Sequence, residues 1–246
     1  MTLVLAAHGT RDPAGSAVIA DLAAQVRLRL PDVDVRVAFA DVCAPSVTEV
    51  LREVDGPAVV VPAFLAAGYH VRIDIPQQIA ESGHPSVTLT APFGPSRALV
   101  AAVHARLTEA GWAGEPIVFA AAGSSDERAL ADVQRAARLL ATRTSVSVQV
   151  AYVTTASPRV TDVARGLAVA SWLLAPGLFH RVVRDAGAKV VAEPIGAHQN
   201  AAGLVVRRYL SAQLPTGAVS LAAVSLETAT HVPPRSFCIF QDSAVG

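Results

Sequence analysis

The sequence predicts an α/β protein made of two similar halves, each a parallel sheet of about four strands flanked by helices. Three observations predict this class. Short apolar runs alternate with amphipathic segments, the same motifs occur twice in the same order, and apolar residues make up 52% of the 246 residues. Regular alternation of strands and helices is typical of parallel sheets that are covered by helices on both faces.

The elements of the first half follow one another in order. The apolar run 3–7 ends at Gly9 and predicts a buried strand. Asp12 and Pro13 then open a helix over about 15–30, in which apolar residues recur at every fourth position. The remaining pattern predicts strands over 33–39, 58–61 and 87–90, a helix beginning near Pro45, and a closing helix over 95–110.

The motifs of the first half recur in the second half. Residues 3–10, LVLAAHGT, resemble residues 117–124, IVFAAAGS. Three more pairs follow in the same order: AF…P…TEV at 38–50 with AY…P…TDV at 151–163, FLAAG at 64–68 with LAPG at 174–177, and PFG at 92–94 with PIG at 194–196. The repeat predicts one half over 1–112, a second over 113–212, and a non-repeating tail over 213–246 that packs on the body or is partly disordered.

Charge and composition exclude several classes of protein. The 20 basic and 20 acidic residues balance, which argues against a general nucleic-acid binder. The spacing of Cys43 and Cys238 does not resemble a disulfide framework. The first residues have no basic region followed by a cleavable apolar segment, so no signal peptide is expected, and the longest uncharged stretches are too short for a membrane helix. We therefore expect a soluble cytoplasmic protein without nucleic-acid or membrane partners.

A duplicated chain can form a cleft between its own halves, so a monomer is expected and a dimer remains an alternative.

Three polar residues lie at the ends of successive predicted strands. His8 follows the first strand, Asp41 the second, and His70 the loop after the third. Ligands of open parallel sheets bind outside the carboxyl ends of the strands. Two imidazoles and a carboxylate at that edge suit a transition metal. Each residue alone also has a simpler interpretation: His8 as a loop residue, Asp41 as the N-cap of the helix after Pro45, and His70 as an exposed side chain without a role.

These residues also carry a family resemblance. The segments HGTRD at 8–12, FADVCAPS at 39–46 and PAFLAAGYHVRIDIP at 62–76 resemble the class II chelatases, the sirohydrochlorin ferrochelatases and cobaltochelatases, in their long two-domain form. The resemblance implies chelatase-like (flavodoxin-like) halves and an enzyme that inserts a divalent metal into sirohydrochlorin. Fe²⁺ insertion to give sirohaem is the first expectation. Cobalt insertion for cobalamin synthesis and a non-catalytic metal or tetrapyrrole carrier are the alternatives.

The resemblance also implies the roles of the site residues. His8 and His70 are implied to be metal ligands and proton acceptors, with Asp41 as the catalytic acidic residue. The family usually has Glu there, within a Phe-x-Glu pattern, so the carboxylate of Asp41 reaches one methylene less. The metal is a substrate, Fe²⁺ or Co²⁺, and no tightly bound cofactor is expected.

The carboxylates of sirohydrochlorin need cationic or hydrogen-bonding partners. We expect Arg11 and Arg72 to bind them, together with Thr10 in a turn that presents backbone N–H groups to an anion. Both arginines could equally be surface residues. Asp74 either orients His70, passes metal inward, or caps the helix that starts near Pro76.

The second half lacks the predicted ligands. Ala122 corresponds to His8, Thr154 to Asp41 and Phe179 to His70. We therefore expect one catalytic site, in the first half, facing a cleft whose other wall is the degenerate half. Two histidines of the second half leave alternatives open: in one, His180 reaches across that cleft, and in the other, His198 lines a site.

Overall fold

The computed structural model describes residues 1–213, which lie within one compact unit. The predicted tail lies outside the described residues from 214 onward. In the described part, no helix combines the length and the apolar character needed to span a bilayer.

Two parallel four-stranded sheets form the framework. The first sheet has the order β2-β1-β3-β4, with β1 (Thr2–Ala7), β2 (Val35–Phe39), β3 (Ala58–Pro62) and β4 (Val87–Leu89). The second has the same arrangement, β6-β5-β7-β8, with β5 (Ile117–Ala121), β6 (Val148–Tyr152), β7 (Ala168–Trp172) and β8 (Val190–Val191). The predicted α/β class with two similar halves is confirmed.

Helices connect the strands in both halves. The first half contains α1 (Pro13–Arg29), α2 (Val47–Arg52), a π-helical turn (His70–Asp74) that continues into α3 (Ile75–Ser82), and α4 (Arg97–Glu109). The second contains α5 (Glu127–Thr144), α6 (Val160–Val163), α7 (Leu178–Arg184) and α8 (Gln199–Gln213). Strand β2 begins two residues later than the predicted 33, because the N–H of Val33 bonds to the carbonyl of Leu30 in a turn.

Alternate residues of the central strands build different cores. In β1, Leu3 and Leu5 belong to a central core, whereas Val4 and Ala6 belong to an outer core under α2 and α3. The same alternation in β5 divides its residues between the central core and an outer core that includes residues of α6 and α7. The central core is continuous across both halves, so the two sheets and the helices between them are one packing unit.

The helices that close each half are exchanged between the halves. Helix α4 packs against β7 of the second sheet, and α8 packs against β3 of the first. A boundary at 112/113 therefore separates the two sheets but not the layers of helices that cover them. The assignment of 1–112 and 113–212 to a catalytic and a degenerate half remains a prediction about function.

The duplication extends to individual backbone contacts. In the first half, the N–H of Asp41 donates to the carbonyl of His8 over 3.0 Å; in the second, Thr154 donates to Ala122 over 2.8 Å. The following residues, Val42 and Thr155, both have positive φ, at 64° and 60°. The correspondences inferred from the sequence motifs are thus corresponding positions in space.

Candidate metal site

His8 and Asp41 lie side by side where β1 and β2 end. The β1–β2 pairing continues past the strands, because Ala40 donates to the Ala7 carbonyl over 2.8 Å before Asp41 donates to that of His8. Gly9 makes this approach possible: with φ +93°, it lies so close that a β-carbon there would be 2.1 Å from the Asp41 carbonyl oxygen. The strand order places His8 and Asp41 at the same edge of the sheet, and the absence of a side chain at Gly9 allows the loops after β1 and β2 to come into contact.

His70 completes the cluster from the π-helical turn after β3. One side-chain ligand atom from each of His8, Asp41 and His70 lies within 4.8 Å of the others. The two imidazole rings are edge to face, with centroids 4.5 Å apart and an interplanar angle of 84°. His8 and Asp41 are exposed and His70 is half-buried, so the cluster faces outward. This open set of nitrogen and oxygen ligands can hold a divalent transition metal.

Hydrogen bonds define which nitrogen of each imidazole faces the cluster. Nδ1 of His8 lies 3.0 Å from the carbonyl of Gly9, and Nδ1 of His70 lies 2.5 Å from Oδ2 of Asp74. A carbonyl and a carboxylate only accept, so each Nδ1 carries the proton and donates it. The Nε2 of each neutral imidazole therefore keeps a lone pair for a metal. Of the alternatives for Asp74, this contact supports orienting His70; Asp74 makes no side-chain hydrogen bond as a cap of α3.

Asp41 is not an N-cap. Ser46 caps α2 through a reciprocal capping box with Glu49, which excludes the capping role considered for Asp41. Oδ1 of Asp41 instead accepts the N–H of Val42 over 2.7 Å, which fixes the carboxylate near its own turn. Pro45 precedes the cap rather than lying in the first helical turn. Within residues 1–213, Oδ2 of Asp41 accepts no hydrogen bond and can face a cation.

The three candidate substrate-binding residues have different surroundings. Arg11 is exposed on the turn after His8. Thr10 is tied into that turn: its N–H donates to Sγ of Cys43 over 3.3 Å, and its hydroxyl accepts the N–H of Asp12. Arg72 donates to Oδ2 of Asp126 in the second half. The carboxylate-binding role of these three residues stays a prediction, and for Arg72 it competes with this ion pair.

The partner of Arg72 was not predicted, although the repeat contains the signal for it. Asp12 and Asp126 are the N-caps of the corresponding helices α1 and α5. Arg181, which corresponds to Arg72, lies 3.4 Å from Oδ2 of Asp12. Each half therefore places an arginine on the helix cap of the other half.

The second half does not rebuild the cluster. Ala122 and Thr154 occupy the positions of His8 and Asp41, and the hydroxyl of Thr154 donates to the carbonyl of Ala122. The backbone N–H of Arg72 donates to the carbonyl of Gly68, and that of Arg181 donates to the carbonyl of Gly177. This match makes Phe179 the residue that corresponds to His70. Among the described residues, the only cluster of three potential ligands that could hold a metal is that of the first half.

The two histidines of the second half have local partners. His180 is 3% exposed and lies 3.8 Å from the carboxylate of Glu193, within its own half. Desolvation lowers its pKa and favours the neutral ring. His198 accepts the N–H of Asn200 at the start of α8. Neither contact brings these rings to His8 and His70, so the structure gives no support to His180 reaching across to them.

Exposed apolar side chains accompany the cluster and were not predicted as part of a site. Tyr69 and Ile73 flank His70 and are 59% and 48% exposed, and Val42 next to Asp41 is 49% exposed. Phe64 lies with its ring centroid 6.2 Å from that of His8 and 6.1 Å from that of His70. A ligand with flat apolar faces would cover such residues, whereas isolated exposed apolar residues need no ligand. Their signal in the sequence was only adjacency to the predicted ligands.

Comparisons with known proteins find relatives of this chain. Residues 2–110 match the model of the CbiX family. This segment of the chain is therefore similar to the CbiX family. The chain is 36% identical over 74 residues to a sirohydrochlorin cobaltochelatase of Methanococcoides burtonii, and 34% identical over 83 residues to one of Methanopyrus kandleri. The matches cover 28% and 32% of this chain and 56% and 58% of those proteins, so the chain spans little more than half the length of either relative.

Solved structures resemble both halves together. The structure of SirB from Bacillus subtilis with Fe³⁺ has a TM-score of 0.72 and 22% sequence identity to this chain. The superposition covers 86% of this chain and 96% of the SirB chain. CbiX described as the terminal enzyme for siroheme biosynthesis in denitrifying bacteria has a TM-score of 0.68 at 26% identity, with 86% of this chain and 99% of that one covered. The SirB likeness shows the fold; the duplicated arrangement is therefore a known one.

Replacing Asp74 by alanine should weaken metal binding by about 10- to 100-fold, the usual effect of removing the partner of a ligating histidine. Without the carboxylate, His70 loses the acceptor that holds Nδ1–H and aims Nε2 at the cluster. Titration of the protein with Co²⁺, followed by visible absorption, measures the change. Glu81→Ala, which removes an exposed carboxylate of α3 that contacts Gln77, is the control. Equal affinities in both variants would exclude the orienting role.

Proposed function

We propose that this protein is a sirohydrochlorin chelatase, which inserts a divalent metal into the macrocycle at a single site formed by His8, Asp41 and His70. The observation that carries the proposal is the convergence of these three side chains within 4.8 Å at the open edge of the half that matches the CbiX model. In this proposal residues 1–112 are catalytic and residues 113–212 provide a degenerate second half without ligands of its own.

The chemistry required is an exchange of a metal for two protons. The free-base macrocycle loses two pyrrole N–H protons as it takes up M²⁺, so charge balances when two protons reach acceptors. Each Nε2 of His8 and His70 can first ligate the metal and then, as the metal leaves it, accept a proton. Neutral imidazole has a proton affinity suited to this step near neutral pH. Asp41 contributes a negative charge that favours the incoming cation.

The openness of the cluster supports a metal that is delivered rather than retained. Closed structural sites surround a metal with four protein ligands, whereas this cluster offers three and faces solvent. Apolar side chains beside the cluster, Val42, Phe64, Tyr69 and Ile73, suit the faces of a flat ring. Thr10, Arg11 and Arg72 are the proposed partners of its carboxylates.

Fe²⁺ is the first candidate for the metal, giving sirohaem, and Co²⁺ is the second. The specific observation that favours cobalt is that both curated relatives are named sirohydrochlorin cobaltochelatases. Iron and cobalt accept the same nitrogen and oxygen ligands, so the ligand set itself does not choose between them.

Purified protein supplied anaerobically with sirohydrochlorin and Fe²⁺ should form the metallated product at least ~100-fold faster than the spontaneous reaction, the scale of positioned acid–base catalysis. Absorbance spectra of the macrocycle follow the product, and parallel reactions with Co²⁺ and Ni²⁺ rank the metals. A protein that binds the macrocycle and leaves the rate at the spontaneous level would be a carrier, and the proposal would be wrong.

A further inference from the structure

The loop that carries His70 is attached to a helix of the other half. This ligand loop, residues 63–69, donates the N–H of Ala67 to Oδ2 of Asp132 on α5 over 2.8 Å. The next residue, Gly68, lies against the same helix, since a β-carbon there would be 3.8 Å from Cβ of Ala129. Two residues beyond His70, Arg72 pairs with Asp126 at the start of α5. The segment around His70 is therefore fastened to α5 on both sides.

Asp132 is an unusual residue for its position on α5. It is only 4% exposed, and removing a carboxylate from water is costly unless partners replace the water. Its partners are the N–H of Ala67 and the guanidinium of Arg135, which is itself mostly exposed. Helix α5 otherwise buries apolar residues along this face, among them Ala129, Val133 and Ala136.

The duplicated half shows that the fold itself does not require this carboxylate. Asp132 is six residues after the N-cap Asp126, and the residue six after the corresponding N-cap Asp12 is Val18. The donor is also missing there: alignment of Gly68 with Gly177 puts Pro176 at the position of Ala67, and proline has no N–H.

Two contacts between these loops and the helices of the opposite half differ in their symmetry. The arginine–aspartate pair occurs in both directions, as Arg72 with Asp126 and as Arg181 with Asp12. Among the described residues, the aspartate–amide bond occurs only toward the ligand loop that precedes His70. The arginine pairs are thus common to both halves, whereas the aspartate–amide bond is specific to the ligand loop.

We propose that Asp132 is a positioning residue of the metal site: by accepting the N–H of Ala67, it holds the ligand loop so that His70 faces His8. The inference rests on the proposed role of these histidines in metal binding. In this proposal the second half contributes to the metal site, because α5 holds the segment that carries His70 in position. When the ligand loop is already ordered before the metal binds, less conformational entropy is lost on binding, so the affinity for the metal is higher.

Two substitutions remove the bond from opposite sides. Asp132→Ala deletes the acceptor, and Ala67→Pro deletes the donor by introducing the residue that the second half already has in this loop. Each should weaken Co²⁺ binding about tenfold, as loss of an outer partner of a metal site does. Co²⁺ titration of the metal-free protein by visible absorption measures the affinity. Hydrogen exchange of segment 63–70 in Asp132→Ala should be faster than in the wild type.

Two further variants keep the acceptor and serve as matched controls. Asp132→Asn retains a side-chain oxygen for the N–H of Ala67, and Arg135→Ala removes only the ion pair. Both should bind Co²⁺ close to the wild-type affinity. Thermal midpoints, recorded for all variants, separate this effect from stability, and the titrations are made well below the lowest midpoint.

The outcomes separate positioning from a purely structural role and from the proposed function. If Asp132→Ala and Ala67→Pro lower the thermal midpoint but bind Co²⁺ like the wild type, Asp132 is structural and the inference is wrong. The inference also fails if Asp132→Asn loses as much affinity as Asp132→Ala. Wild-type protein that binds Co²⁺ without inserting it into sirohydrochlorin removes the chelatase function, and the affinities of the variants still decide the role of Asp132.

Discussion

Replacing His70 or His8 by alanine should reduce the rate of metal insertion by about 100-fold or more, the scale expected when a group that both binds the metal and accepts a proton is lost. Each substitution leaves one imidazole and the carboxylate of Asp41, a pair too sparse to compete with the water shell of a divalent ion. Both residues lie at the surface-facing edge of the sheet, so the fold should persist. Insertion rates at saturating sirohydrochlorin, with circular dichroism to verify folding, measure the effect.

The matched control for these variants is another histidine of the first half. His84 lies in the turn before β4, where its ring contacts the carbonyl of Val54 and the N–H of Ser86, outside the cluster. His84→Ala should insert metal at nearly the wild-type rate. If His8→Ala and His70→Ala also retain that rate, the active site has been assigned to the wrong residues.

Replacing Gly9 by alanine should lower the free energy of unfolding by on the order of 3 kcal/mol and also weaken metal binding. Its φ of +93° is unfavourable for alanine, and the new β-carbon would meet the Asp41 carbonyl at 2.1 Å. Relieving that contact must move the Asp41 turn away from His8, which separates two of the three ligands. Urea denaturation gives the stability, and Co²⁺ titration gives the affinity.

The repeat supplies a control that separates the two effects. Gly123 has φ +101°, and a β-carbon there would be 2.0 Å from the carbonyl of Thr154. Gly123→Ala should therefore lose similar stability with little loss of metal affinity. Gly56 has φ +74° and open space around it, so Gly56→Ala measures the effect of backbone strain alone. Equal metal affinity in the Gly9 and Gly123 variants would contradict the link between Gly9 and the site.

Much of the candidate site could be predicted from the sequence because its geometry follows from strand order. His8, Asp41 and His70 each follow a strand, and the carboxyl ends of parallel strands share one edge. The loss of ligands in the second half was equally visible, since the motifs align residue by residue. The role of Asp41 as an N-cap had to be excluded by structure, because Ser46 also fits that role and only the observed bonds choose between them.

The contacts that support the site had no signal in local patterns. Asp132 is a polar residue at a helical position that reads as an ordinary break in the apolar face, and its partner Ala67 is distant in sequence. Arg72 lies near a predicted ligand, and the sequence therefore predicts that it binds substrate, yet its observed partner is Asp126, the N-cap of α5. Such pairs depend on how the two halves are placed against each other.

The sequence by itself determined the α/β class, the duplication and the single cluster around His8 and His70. These follow from periodicity, strand order and the residues at strand ends, which are properties of short segments. Only the tertiary structure decided that α4 covers the second sheet and α8 covers the first. It also decided that Asp74 contacts His70 and that α5 contacts the ligand loop. These depend on the packing of one continuous core between two sheets, where residues far apart in the chain meet because burying their apolar faces together is favourable.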